Sequence, residues 1–214
     1  MQKIKKVLAH KIFKIFLWAF LVLIGLFIIL IIVRVVHFVN VDKTNAQIAK
    51  INAMKLSEED VFCKNFSKDF GISDDGTLEG VDINENGIRD DVELAICNTY
   101  KNSAKTRAVL LQYAMTLQMM PTQYPLSKNI ATAIMQEKSR AYACVGEILF
   151  RNDEDRDVME KYFEKGKELR SFVEDKQLNA ENRIKNNKDF YKLVRSYSES
   201  QKELCDINVS NLPN

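Results

Sequence analysis

Residues 80–97, GVDINENGIRDDVELAIC, carry oxygen-bearing side chains at alternate positions and then enter an apolar stretch. Carboxylate, amide and main-chain oxygens are the ligands of hard divalent cations, and Ca²⁺ takes about six to eight of them at about 2.3–2.6 Å. A tight loop of twelve residues can direct alternate side chains toward one point. The spacing therefore predicts a calcium-binding loop over residues 82–93.

The twelve positions fill every side-chain slot of the pattern D-x-[DN]-x-[DN]-G-x5-E. Gly87 stands at position six, where the chain turns with a backbone that side chains oppose. The predicted ligands are the side chains of Asp82, Asn84, Asn86, Asp90 and Glu93 and the main-chain carbonyl of Ile88. The alternative is a simple Asn86-Gly87 turn, with Asp90 and Asp91 complementing the N-terminus of the next helix.

The loop DINENGIRDDVE resembles the calcium loops of EF-hand proteins. With Ile at position seven and Asp at position nine, it resembles more closely the thrombospondin type 3 repeats and similar loops of bacterial envelope proteins. Residues 80–118 are also similar to uncharacterised exported proteins of Gram-negative bacteria that have one such loop. The resemblance implies calcium binding and supplies no activity.

Two features depart from an EF-hand. Position eight is Arg89, where paired EF-hands usually have an apolar residue, and the segment before Asp82 is rich in glycine and aspartate rather than helical. We therefore expect a single loop with an exit helix, not a pair that opens as in calmodulin. With three charged ligands and Arg89 nearby, the expected dissociation constant is about 10⁻⁴–10⁻³ M, as in extracellular modules.

Residues 15–33 form an uninterrupted run of nineteen uncharged residues. As a helix this run is about 28 Å long, which is close to the thickness of a hydrocarbon core. Arg34 and Lys43 follow the run, whereas five lysines precede it: Lys3, Lys5, Lys6, Lys11 and Lys14. The positive-inside rule then predicts a single-pass protein of the bacterial inner membrane. Its N-terminus lies in the cytoplasm, and the chain after about residue 37 is periplasmic.

A cleaved signal peptide is the competing interpretation, because Thr44-Asn45-Ala46 resembles a small-x-small cleavage site. A cleavable apolar region usually has about 7–15 residues. In addition, Arg34, His37 and Asp42 separate this run from the site. We therefore favour an uncleaved anchor. The expected organisation is a cytoplasmic basic tail (1–14), a transmembrane signal-anchor (15–36), a membrane-proximal stalk (37–56) and a helical ectodomain (57–214).

The exported part is mildly acidic. The chain has 31 basic residues (Lys and Arg) and 29 acidic residues (Asp and Glu). Residues 1–44 contain seven of the basic residues and one of the acidic ones. The remaining part therefore has 24 basic and 28 acidic residues, a net charge near −4. This balance gives no electrostatic footprint for nucleic acid. About 170 residues suffice for one ordinary core. The membrane and an envelope protein are the expected partners.

All four cysteines lie in the exported part, where disulfides form. Four cysteines allow three pairings. We favour Cys63 with Cys97 and Cys144 with Cys205, because consecutive cysteines close the shorter loops. The first bridge would then bracket the calcium loop.

Apolar residues of the exported part recur at three and four positions, which predicts an all-α fold. Ser57 and Asp60 form a capping box for a short helix, a second helix leaves the loop at about residue 90, and Ser103 caps a third that Pro121 and Pro125 end. A further helix covers residues 127–150, a charge-rich one follows residue 156, and a final one spans about 189–205. In the third helix we expect five residues to face inward: Val109, Leu110, Tyr113, Ala114 and Leu117.

Catalysis has little support in the sequence, and we expect no enzyme. The two histidines, His10 and His37, flank the apolar run. The expected function is therefore a structural or interaction module, with a calcium-responsive sensor or accessory subunit as the alternative. A hydrolase using Glu147 and a second carboxylate is a weaker alternative. Met115, Met119 and Met120 could hold copper(I), although such spacing is more typical of core residues.

Overall fold

A computed structural model describes residues 2–64, 77–123, 126–149 and 156–214, with the side chains of residues 2–12 and 156 left out. Regular structure in these ranges is helical throughout, which confirms the predicted all-α class. The chain divides into two compact units, Met1–Ala46 and Gln47–Asn214.

Helix α1 spans Gln2–Ala53, so the expected stalk is helical as far as Ala53. One stretch of this helix, Phe13–Ala53, is long and apolar enough to cross a membrane. Large apolar side chains such as Phe16, Trp18 and Phe27 are well exposed along it. In a bilayer they would contact acyl chains, because the rise of an α-helix carries the apolar run across the hydrocarbon core.

Six shorter helices lie in the described part of the second unit: α2 (Glu58–Val61), α3 (Asp90–Thr99), α4 (Ala104–Thr122), α5 (Lys128–Glu147), α6 (Arg156–Gln177) and α7 (Glu181–Tyr191). The predicted caps at Ser57 and Ser103 are confirmed, and Ser127 caps α5 in the same way: each accepts a hydrogen bond from a main-chain N–H of the first turn. Pro121 lies in the last turn of α4, which ends one residue later. Pro125 lies outside the described residues.

Helix α4 is the centre of the core and contacts α2, α3, α5, α6 and α7. Sixteen of its nineteen residues are buried, so it is enclosed on all sides rather than on one stripe. The five residues predicted to face inward are among them. Met115, Met119 and Met120 are also buried in this apolar core, where flexible thioethers fill irregular gaps.

The expected final helix over residues 189–205 is wrong. Helix α7 ends at Tyr191, and residues 194–208 lack regular structure until the 3₁₀ turn Val209–Asn211. Side chains of α4 and α5 satisfy this segment instead: Gln112 donates to the Leu204 carbonyl at 2.9 Å and accepts from the Asp206 N–H at 2.9 Å. Arg140 donates to the Glu203 carbonyl at 3.1 Å. These long-range bonds replace helical ones.

Both cysteine pairs are those favoured from the sequence. Cys63 is bonded to Cys97, with Cα atoms 6.3 Å apart, and Cys144 is bonded to Cys205, with Cα atoms 5.1 Å apart. The second bridge attaches the irregular C-terminal segment to α5. A buried ion network lies beside it, where Arg140 pairs with Glu137 and with Asp206, both at 2.7 Å.

The first turn of α4 is closed by the far end of the chain. The Pro213 carbonyl accepts hydrogen bonds from the Ala104 N–H at 3.0 Å and the Lys105 N–H at 3.3 Å. The first N–H groups of a helix have no partner within it, so the C-terminal segment satisfies donors at the start of the central helix.

Candidate metal centre

The loop of residues 82–93 is built around the carboxylate of Asp82. Its Oδ2 accepts from the Gly87 N–H at 2.9 Å, and its Oδ1 accepts from the Asn86 N–H at 3.2 Å. Gly87 has φ of +80°, and an added Cβ there would clash with the Met54 side-chain methyl. The predicted turn at position six therefore needs glycine for its backbone, and a side chain there would also displace the Met54 methyl.

The two asparagines are held by the loop itself. Asn84 Oδ1 accepts from the Asn86 N–H at 3.3 Å, and Asn86 Oδ1 accepts from the Ile88 N–H at 2.9 Å. Asn84 Nδ2 donates to Glu93 Oε2 at 3.3 Å. The side chain of Ile88 is fully buried in the core, which fixes the main chain that carries the position-seven carbonyl.

Helix α3 brings two buried carboxylates to the loop from its first turn. Asp90 is 2% exposed and Glu93 is 1% exposed. Asp90 Oδ1 accepts from the Ile83 N–H at 3.1 Å, so it faces back into the loop. Its Oδ2 is buried without a hydrogen-bond partner among the described residues. An unsatisfied buried oxygen costs about 1–3 kcal/mol, and a turn that merely caps α3 does not account for it.

Burial raises the pKa values of the loop carboxylates. The pKa of Glu93 rises to about 7 because of burial; hydrogen bonds with Asn84 and Asn86 oppose the rise, and the charges of Asp60 and Asp90 add to it. Burial also raises the pKa of Asp82 and of Asp90, although main-chain N–H bonds act in the opposite direction at both. Burial thus disfavours the ionised forms of all three carboxylates.

Asp60 is a residue of this centre that the sequence reasoning assigned only to a capping box. It lies on α2, is 4% exposed, and its Oδ1 accepts from Asn86 Nδ2 at 3.1 Å. The disulfide at Cys63 and Cys97 fastens the end of α2 to α3, so a segment distant in sequence is held against the loop. Nothing in the local pattern around Asp60 signals this contact.

Arg89, at position eight, turns away from the loop carboxylates toward the end of α6. Its guanidinium pairs with Asp91 and donates to the carbonyls of Lys176, at 2.7 Å, and Gln177, at 3.2 Å. The side chain is 1% exposed. The position that pairs two EF-hands therefore joins this loop to α6.

Side chains from other helices also fix the incoming arm of the loop. Arg183 of α7 donates to the Thr77 carbonyl at 2.7 Å, and Gln118 of α4 donates to the Glu79 carbonyl. Gly80 has φ of +72°, and an added Cβ would clash with the Arg89 side chain. In an EF-hand a helix leads into the loop. Here these contacts fix the segment before Asp82 instead.

Among the described residues, no group of three or more histidine, cysteine, aspartate or glutamate side chains is arranged as a ready-made metal site. A cation held by this loop therefore depends on amide and main-chain oxygens as well as on carboxylates. The donor set consists of oxygen atoms, which suits Ca²⁺ better than the softer transition metals. Glu147, named for the hydrolase alternative, is exposed at the end of α5.

Comparison of the chain with protein-family models, with curated proteins and with solved structures gives no match.

Proposed function

We propose that residues 82–93 bind one Ca²⁺ ion, which ties the incoming arm of the loop to α3. The observation that carries this proposal is the buried Asp90 Oδ2, which has no hydrogen-bond partner in the described part of the chain although the loop groups around it form a dense network. The ligands are those assigned from the spacing: Asp82, Asn84, Asn86, the Ile88 carbonyl, Asp90 and Glu93. Asp90 at position nine acts directly or through a water molecule.

The bound ion supplies positive charge to buried carboxylates. Burial without a counterion favours the protonated form of Glu93, so the loop resists full ionisation. A divalent cation would favour the ionised carboxylates despite their burial. It would also stabilise the folded state by mass action, by about 1.4 kcal/mol when calcium is at ten times the dissociation constant. Calcium is thus a structural cofactor here, not a catalytic one.

The setting we propose is the periplasmic face of a bacterial inner membrane. The candidate span of α1 anchors the chain, and the lysines before it keep the N-terminus in the cytoplasm. The module following the anchor serves a structural or interaction role toward another envelope protein. Its acidic balance offers no basic surface for nucleic acid.

Calcium titration of the full chain in detergent micelles, followed by calorimetry and thermal melting, tests the proposal. The wild type should show one saturable site and a calcium-dependent rise in melting temperature, and Glu93→Gln should lose both. Glu85→Gln is the matched control, because Glu85 is exposed at position four of the same loop and is not a ligand. Equal calcium responses in wild type and Glu93→Gln would contradict the assignment.

A calcium-responsive accessory subunit is the second candidate function, and the contacts of Arg89 favour it. Because this residue joins the loop to the last carbonyls of α6, ordering of the loop is coupled physically to the α6–α7 junction. Such a role predicts that a membrane partner copurifies with the chain in calcium and not in chelator. Copurification that is the same in calcium and in chelator would favour the purely structural role.

A further inference from the structure

The cation site extends beyond its twelve-residue loop to α2. Asp60 precedes Asn86 by 26 positions, yet its Oδ1 accepts from Asn86 Nδ2 at 3.1 Å. The oxygen of the same amide, Asn86 Oδ1, accepts from the Ile88 N–H at 2.9 Å. The Asn86 side chain is therefore fixed at both ends: its nitrogen donates to Asp60, beside the Glu93 carboxyl with which it also interacts, and its oxygen accepts from the Ile88 N–H.

The Asp60 carboxylate is itself held rigidly. Its Oδ2 accepts hydrogen bonds from the Ser57 N–H, at 2.9 Å, and from the Ser57 hydroxyl. Three residues later, the disulfide between Cys63 and Cys97 joins this segment to α3, the helix that carries Asp90 and Glu93. Capping of α2 explains the bonds to Ser57, but it does not explain why the other oxygen meets Asn86.

Asp60 also contributes charge to the centre. Its carboxylate repels that of Glu93, so the two lie close enough to interact electrostatically. Asp60 is 4% exposed, and salt screens such a buried charge little. The charge of Asp90, whose buried Oδ2 lacks a partner among the described groups, acts on the same Glu93 carboxyl, so a cation at this cluster would have this oxygen available as a ligand.

We propose that Asp60 is a positioning residue of the calcium site: it orients the Asn86 amide so that Oδ1 is presented to the ion, and it adds a fourth carboxylate to the field of the loop. This inference rests on the proposed calcium function. Partners behind metal ligands fix ligand orientation, and their loss typically lowers metal affinity by about 10–100-fold. More negative charge also moves affinity toward the tighter end of the calcium range.

The test is calorimetric calcium titration of the full chain in detergent with Asp60→Asn and Ser57→Ala. Asp60→Asn retains the size of the side chain and an oxygen for the cap but loses the charge, so affinity should fall by about 10–100-fold. Ser57→Ala removes the hydroxyl that donates to Asp60 Oδ2 but keeps the Ser57 N–H bond and the carboxylate, so affinity should fall by much less than in Asp60→Asn. Equal losses in the two variants would assign Asp60 to capping alone and overturn the proposal.

A double-mutant cycle with Asn86→Ala checks whether Asp60 acts through that amide. The orienting part of the effect should disappear in the Asn86→Ala background, leaving a smaller loss from charge. Should Asp60→Asn fail to show native helical circular dichroism, Asp60→Gln, which keeps a neutral capping-box acceptor at the third helical position, takes its place. Unchanged affinity in a folded Asp60 variant overturns this inference alone, whereas absence of calcium binding in the wild type overturns the proposed function as well.

Discussion

At the C-terminal segment the buried carboxylates of Glu137 and Asp206 meet the guanidinium of Arg140. At the loop of residues 82–93 the buried cation, Arg89, instead pairs with Asp91 and donates to carbonyls of α6. Both regions are irregular chain fastened by a disulfide. Burial by itself would lower the pKa of Arg140, but Asp206 and Glu137 outweigh it and the pKa is raised.

The difference concerns where the countercharge comes from. In the C-terminal network the protein supplies it, and Lys202 adds a second cation beside Glu137. In the loop, burial raises the pKa values of Asp82, Asp90 and Glu93, so their ionised forms are disfavoured unless a cation stabilises them. The protein's own cations neutralise the carboxylates of the C-terminal network, whereas the carboxylates of the loop could be neutralised by an external cation.

Breaking the ion network of Arg140, Glu137 and Asp206 should have the largest effect on stability. Arg140→Met leaves Glu137 and Asp206 buried without their main partner, and we expect a loss of about 3–5 kcal/mol in the free energy of unfolding. Urea unfolding measures it, with and without calcium. Arg195→Met, at an exposed site, is the matched control and should change little. A loss that calcium restores would contradict the separation of the two regions.

Removing each disulfide tests further how the loop of residues 82–93 differs from the C-terminal segment. Cys63→Ala with Cys97→Ala, and Cys144→Ala with Cys205→Ala, should each lower stability by about 2–4 kcal/mol. Only the first pair should also weaken calcium binding, because it holds Asp60 and α3 at the loop. Calcium titration of both double variants decides this point. Equal weakening in both would mean that general destabilisation, rather than the tether, controls the site.

Gly87→Ala should lower stability by about 1–2 kcal/mol, the penalty for a left-handed backbone with a side chain, and more if the Met54 methyl cannot move. Thermal melting in chelator isolates this backbone effect from the ion. Combining Gly87→Ala with Met54→Ala removes the clash and should restore only the steric part of the lost stability. Full recovery in the double variant would show that the positive φ at Gly87 carries no penalty.

Acidification should weaken calcium binding, because the ion competes with protons for Glu93. With the pKa of Glu93 at about 7, affinity should fall about tenfold between about pH 8 and about pH 6. A calcium affinity that stays constant across this range would contradict the role of Glu93.

Without calcium, the effect of pH on stability has the opposite sign. A carboxyl whose folded-state pKa is raised contributes stability that is fully present below its unfolded pKa and is lost as pH rises through its folded pKa. For Glu93 these two pKa values are 4.5 and about 7. Urea unfolding in chelator across this window measures the loss, and Glu93→Gln should reduce it.

Most of the features that the sequence could predict depend on local chemistry. The caps at Ser57 and Ser103, the start of α3 at Asp90 and the turn at Gly87 each depend on neighbours a few positions away. The cysteine pairing followed from chain-closure entropy, which favours short loops. Such features need no knowledge of how helices pack.

Contacts between distant segments could not be predicted in this way. Asp60 and Asn86 are 26 positions apart, and Arg89 is 88 positions from Gln177, so no pattern in either neighbourhood reveals the bond. The expected helix over residues 189–205 is wrong for the same reason. Its periodicity is compatible with a helix, but Gln112 and Arg140 bind its main chain from α4 and α5.

The bonds from Ala104 and Lys105 to the Pro213 carbonyl have a consequence for biogenesis. The Ala104 and Lys105 N–H groups have no partner within the helix, so water satisfies them until residue 213 has been synthesised, about 5–20 s after residue 104 at ordinary translation rates. Docking of the Pro213 carbonyl on the start of α4 therefore follows synthesis of the whole intervening chain, although it completes an element that begins at residue 104.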